Sequence, residues 1–239
     1  MTAPALSPGR LAGVTLALWA RQLPAFVVLA ALAWGVFIAT LAVAEWTFVI
    51  AVALVSTLHA GGVAAAALQG LRDGSSRVPA GFRAAWAVLR RAPSVVAIGV
   101  LSAAAVLVGS AALVVPGIAV AAALAPALPI ALGEGAGPLR ALARSVELTR
   151  GHRVGVALGQ LLLGVVAAVL SLGVRACADA IPDGALPRGA ASDVVFWGVV
   201  PVLVLTALTL PFVGATVAYR ALVAAKEAPT AAALEVVFE

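Results

Sequence analysis

The chain has 239 residues, yet only 25 carry formal charge, 15 basic and 10 acidic, while 64% are apolar. A soluble domain averages about 25% charged and 45–50% apolar residues, so this chain lacks the polar surface that a water-soluble globule needs. The lone Cys177 excludes an intramolecular disulfide and offers no metal-ligand spacing, and the net charge of +5 is explained below by membrane orientation rather than nucleic acid.

The chain opens on Arg10 to Gln22, where Leu11, Val14, Leu18 and Trp19 form the apolar side of an amphipathic helix. Arg21 ends this patch and a full-length apolar run follows at once, so no cleavable signal peptide is expected. Five runs then carry no charge: Gln22 to Ala44 (23 residues), Trp46 to Leu71 (26), Ala92 to Gly133 (42), Val154 to Val174 (21) and Val194 to Tyr219 (26). A helix rises about 1.5 Å per residue and a bilayer core is roughly 30 Å thick, so about 20 apolar residues cross it. Four runs fit one crossing each and the longest fits two. The fold class predicted is all-α, a polytopic bundle of six transmembrane helices at about 24–44, 47–67, 94–115, 118–132, 154–174 and 194–219, with 226–239 as a short tail. Ala, Gly and Val fill the spans, and small side chains let helices approach closely in lipid.

His59 falls near the middle of the second span. An ionisable group there is a functional candidate. The structural alternative is a neutral imidazole bonded to a neighbour such as Ser56, Thr57 or Gln160. After this span, Phe82, Ala85, Trp86 and Leu89 recur at helical spacing, with Arg83, Arg90 and Arg91 off the stripe and Pro93 closing the segment. Spans three and four are expected to meet at Val115-Pro116-Gly117, where Pro116 ends one helix and Gly117 permits the reversal. Span four is then short, roughly 22 Å by helical rise, and Pro126 and Pro129 are expected to kink it or thin the bilayer.

Glu134 closes that span within Gly133-Glu-Gly-Ala-Gly137. Its structural reading is a carboxylate ahead of a helix N-terminus, paired with Arg144 or Arg150. Its functional reading is a headgroup or ion site. A second basic amphipathic helix follows from Pro138 to Arg150. Pro138 stands at its first position and Gly151 just past its end. Leu139, Leu142 and Val146 form the apolar face, and Arg140, Arg144, Glu147 and Arg150 the polar one. Gly155 and Gly159 make a GxxxG in span five that favours close helix contact, internally or in a homodimer. Asp179, Asp183 and Asp193 in the next loop read as solvated residues before they read as a cation site.

The basic residues orient the bundle. Thirteen of the fifteen lie at the N-terminus, in the connections after spans two and four, and in the tail; only Arg175 and Arg188 lie on the other side. By the positive-inside rule both termini are cytoplasmic. Each amphipathic helix precedes an odd-numbered span, so the chain reads as three units of interfacial helix plus transmembrane hairpin. Such helices lie among anionic headgroups; docking of a protein partner is the sharper alternative.

Val114-Val-Pro-Gly-Ile118, Ala125-Pro-Ala-Leu-Pro-Ile130, Glu134-Gly-Ala-Gly-Pro-Leu-Arg-Ala-Leu142 and Arg144-Ser-Val-Glu-Leu-Thr-Arg-Gly151 together resemble the membrane domain attached to some bacterial glycerophosphodiester phosphodiesterases. The stretch is also similar to the stand-alone six-helix membrane proteins of the YciC kind. The matching core covers about 40 residues, and the flanking helix order fits over nearly the whole chain. The resemblance implies a six-helix protein of the bacterial cytoplasmic membrane, with Pro116, Gly117, Glu134, Pro138, Arg144, Ser145, Thr149 and Gly151 as its motif positions. It does not carry the phosphodiesterase activity, which belongs to a separate soluble barrel. Two histidines and ten acids, mostly in short loops, supply no such site.

The expectation is a non-enzymatic integral membrane protein that organises or accompanies lipid or envelope processes, without cofactor and with membrane lipids as partners. The alternative is a permease-like transport subunit. A polar, water-accessible cavity around His59 and Gln160 would favour transport, and a lipid groove beside Arg140 and Arg144 a lipid role.

Overall fold

A computed structural model describes residues 7–41, 48–73, 78–181 and 194–238. The Glu45 turn, Arg77, Asp183, Arg188 and Asp193 lie outside the described residues, as do the side chains of the tail from Ala228 onward. Among the described residues the chain is helical throughout. Six helical stretches are long and apolar enough to cross a membrane.

The first three helices are α1 (Pro8–Arg21), α2 (Leu23–Leu41) and α3 (Phe48–Asp73). Pro8 opens α1 at a position where its missing N–H costs nothing, and the Ser7 hydroxyl caps the Arg10 N–H. Only Gln22 separates α1 from α2. Oriented to suit both neighbours on α3, its amide donates to the Ala66 carbonyl at 3.1 Å and accepts from the Gly70 N–H at 3.2 Å. Helix α3 is the axle of the bundle. Every residue from Ala60 to Leu68 is buried, and 56% of its span is covered, against 11% of the span in the next long helix. A helix buried all round must be apolar all round, and small residues let its neighbours approach from every side. Phe26, Val63, Val95, Val156, Val213 and Leu222 meet in this core.

Helices α4 (Val78–Leu89), α5 (Ala92–Ala112), α6 (Val114–Leu124) and α7 (Ala127–Glu134) follow. The reversal between spans three and four is not at Pro116-Gly117. It is at Leu113, whose backbone is extended (φ −169°, ψ 155°), and α6 starts at the next residue. Pro116 and Gly117 therefore lie inside the first turn of α6, where proline's missing donor is harmless. Nor is span four short: it runs 21 residues from Val114 to Glu134, broken in the middle. Pro126 makes the break, because its ring opposes the carbonyl four residues back and it has no N–H to give. Pro129 sits in the first turn of α7 and disturbs nothing.

The chain closes with α8 (Pro138–Thr149), α9 (Arg153–Asp179), a π-helical segment (Val194–Val199), α10 (Val200–Ala207) and α11 (Leu210–Phe238). Span six is also broken, at Leu208 and Thr209 just ahead of Pro211. The Trp19 indole of α1 closes that break. Its N–H donates to Thr209 Oγ1 at 2.8 Å and to the Thr206 carbonyl at 3.3 Å. Farther along, the Trp34 indole of α2 donates to the Trp197 carbonyl at 2.7 Å and holds α2 to the π-helical segment.

The short helices bury the stripes named from periodicity only in part. In α4 the buried residues are Ala80, Gly81, Ala84 and Val88, facing α2 and α3, while Phe82, Trp86 and Leu89 are exposed. In α8 they are Ala141, Ser145, Leu148 and Thr149, while Leu139 is exposed. In α1 they are Leu11, Ala12 and Thr15, while Val14 is exposed. The physical reason is close approach: small side chains fit the bundle, and Val14, Phe82, Trp86, Leu89 and Leu139 are turned outward, whereas Leu11 is buried and Leu18, Trp19 and Leu142 pack half-buried on the core. The Arg90 guanidinium stacks over the outward Trp86 ring at 5.3 Å.

Candidate functional site

Two features stand out, a polar knot around α8 and a cavity among the long helices. The knot gathers most of the motif residues. Glu134, the last residue of α7, accepts from Arg144 Nε at 3.1 Å and from the Tyr219 hydroxyl at 3.0 Å. Arg144 Nη2 donates to Glu227. Two carboxylates thus hold the Arg144 guanidinium above its already high pKa, the Glu227 hydrogen bond first, so it stays charged at any working pH. The Lys226 ammonium donates to the carbonyls of Glu147 at 2.8 Å and Arg150 at 3.1 Å, a cation on the C-terminal carbonyls of α8. Arg91 does the same for α7 through the Ala131 carbonyl at 2.9 Å.

Ser145 and Thr149 are fully buried beneath this knot. The Ser145 hydroxyl donates to the Ala123 carbonyl at 2.6 Å. Ala123 lies in the last turn of α6, where a carbonyl has no successor in its own helix. Thr149 turns its hydroxyl back to the Ser145 carbonyl at 2.9 Å. Gly135 (φ 72°) and Gly151 (φ 86°) end α7 and lie beyond α8 in the left-handed region that a side chain disfavours. Pro138 is the first residue of α8, as expected. The pairing of Glu134 with Arg144 is the one anticipated. Arg150 contributes its carbonyl and not an ion pair. Arg140 is exposed, and among the described residues it makes no ion pair.

Tyr219, Lys226 and Glu227 were not among the site residues expected from the sequence, though Tyr219 marks the end of the sixth span and Lys226 counts among the chain's basic residues. Their spacing of seven and eight places them on one face of α11, and Tyr219 is the only tyrosine in the chain. That spacing was the available signal. The knot is structural chemistry: paired charges, caps and buried hydroxyls. Among the described residues no group of three or more His, Cys, Asp or Glu is arranged to hold a metal. Both partners of the Glu134–Arg144 pair remain about a third exposed, at 30% and 35%. Glu134→Gln should therefore lower stability by about 0.5–1 kcal/mol, with a coupling to Arg144→Ala below about 1 kcal/mol. Thermal unfolding of the two single variants and the double variant in detergent measures it. A coupling several-fold larger would show that the knot is drier than its exposure indicates.

The cavity has a volume of about 830 Å³ and is bounded by α3, α5, α6, α9 and α11. Among the described residues its wall is almost wholly Ala, Gly, Val, Leu, Ile, Pro and Phe, with no ionisable residue. Ser56 and Thr57 of α3, Ser102 of α5 and Gln160 of α9 are its polar members. Thr57 spends its hydroxyl on the Ala53 carbonyl at 2.7 Å. The Gln160 amide nitrogen is shut away with no partner. His59 does not line this space. Its buried ring nitrogens meet the Leu29 backbone without a bond of good geometry, and among the described residues the expected bond to Ser56, Thr57 or Gln160 is absent. The expected partners stand on the cavity, while His59 stands apart from it.

Compared with protein-family models, with curated proteins and with solved structures, the chain matches none.

Proposed function

We propose that this chain is a non-enzymatic integral protein of the bacterial cytoplasmic membrane that organises or accompanies lipid or envelope processes. In this reading both termini are cytoplasmic, and α1, α4 and α8 are basic helices at the inner interface, each leading a transmembrane hairpin. The polar knot then lies at the inner headgroup level, and exposed Arg140 meets anionic lipids there. The kinship to phosphodiesterase-linked membrane domains belongs to the same reading. It rests on Glu134, Arg144, Ser145, Thr149 and Gly151, each of which has a definite structural task.

One observation carries the choice of a lipid role over a permease: a cavity among the spans has, among the described residues, no ionisable lining residue, and His59 stays off it. A solute path through a membrane is built from polar and ionisable groups facing a water-filled space. An apolar cavity at that depth suits a hydrophobic occupant. Purified protein in vesicles should pass ions and small polar solutes no faster than protein-free vesicles do. Measurable flux of either would favour the permease-like alternative.

A further inference from the structure

The cavity says more about its occupant than that it is apolar. Its volume of about 830 Å³ falls within the range of about 300–1,000 Å³ typical of small-molecule sites. Along α5 it extends from Ile98 to Leu107, about 14 Å by helical rise. Its rim includes Leu107, Ile118 and Leu161, all exposed on the outer surface of the bundle. An entrance framed by exposed leucine and isoleucine is reached from hydrocarbon, not from water.

Inside, three helices bring polar groups to an otherwise apolar wall. Among the described residues, exposed Ser56 and half-buried Ser102 make no hydrogen bond through their hydroxyls, and the Gln160 nitrogen is unpartnered. Polar groups in an apolar setting cost free energy until they find a partner. Pure hydrocarbon cannot supply one. A phosphate or carboxylate is disfavoured from the other side, because among the described residues no basic residue lines the cavity to balance it.

We propose that the cavity binds an uncharged lipid. Its chain enters sideways between α5, α6 and α9, and its ester or hydroxyl oxygens bond to Ser56, Ser102 and Gln160. The serines donate or accept as needed, and the amide presents either end by turning about its last bond. This names the ligand class for the lipid-associated reading above and rests on it.

Photoactivatable diacylglycerol is the probe, with photoactivatable phosphatidylglycerol of the same chains in parallel, both in lipid nanodiscs holding the full chain. The neutral probe should label residues 98–107 and 118–128 at least five-fold more than the anionic one. Ser102→Trp, which fills the cavity, should cut that labelling at least ten-fold. Gln160→Leu keeps the shape and removes the amide, so it should bring the two probes toward equality even if Ser102→Trp does not fold. Equal labelling of the unmodified protein by both probes would mean ordinary boundary lipid and overturn the proposal, as would full labelling of folded Ser102→Trp. Absence of neutral-probe labelling in the unmodified protein, without solute flux, overturns this inference alone. Flux across vesicles overturns the reading beneath it, whatever the labelling.

Discussion

Gly117→Val is expected to destabilise the protein by about 3 kcal/mol, the upper part of the usual range for overpacking. A Cβ at Gly117 would collide with the Ser110 hydroxyl and stand 3.0 Å from the Ser110 Cα. From the other helix, a Cβ at Gly109 would stand 3.3 Å from the Gly117 Cα. Here α5 and α6 meet nearly backbone to backbone, and backbone cannot rotate out of the way as a leucine tip can. The conformation of Gly117 itself is ordinary, since among the described residues only Gly135 and Gly151 have positive φ. A turn glycine would fail through strain; this one fails through contact. Gly164→Ala is the control. Nothing lies within 4 Å of a Cβ there, so alanine should be neutral or stabilise by up to about 1 kcal/mol through helix propensity. Thermal unfolding of both variants in detergent decides. Equal stability of Gly117→Val and the parent chain would show that α5 and α6 do not pack this closely.

Ser145→Ala should cost about 1–3 kcal/mol, the penalty for leaving a buried acceptor without its donor. The Ala123 carbonyl is at the broken middle of span four, and Thr149 Oγ1, at 3.5 Å, is too far to replace the lost bond. The loss should appear as a lower unfolding temperature with the purified protein still monodisperse. A Ser145→Ala variant as stable as the parent would mean that water or lipid already satisfies Ala123. No surface substitution on α8, such as Arg140→Gln, should approach this effect, because Arg140 is exposed and unpaired among the described residues.

The six apolar stretches were legible because a bilayer asks for one simple thing, length without charge, and the runs from Gln22 to Tyr219 meet it. Glu134 with Arg144 was legible because an acid that closes one helix meets an arginine on the polar face of the next, where opposite charges pair. The Leu113 reversal was not. Pro116-Gly117 looks like a turn, but proline is equally at home in the first turn of a helix, and only the position of Leu113 distinguishes the two. The packed faces of α4 and α8, and Val14 of α1, were misread for a related cause. Periodicity finds the large apolar side chains, and in lipid those need not point inward; the small ones do, because close approach holds such helices together. The cavity left no trace in the sequence. Its wall draws on Ser56, Ile98, Ala121, Gln160 and Phe212, and no local pattern links them.

The Trp19 bond to Thr209 joins the first helix of the chain to the last. During synthesis the α1 face bearing Leu11, Thr15 and Trp19 emerges nearly 190 residues before the segment that covers it. Ala123, by contrast, waits only 22 residues for Ser145. The middle of the molecule can therefore close on itself while the ribosome is still at work, whereas the N-terminal helix stays unfinished until the end. Long-range closure of this kind is slow to form. It also makes the whole chain one cooperative unit, so that a copy cut short before Thr209 would leave its first helix without a lid.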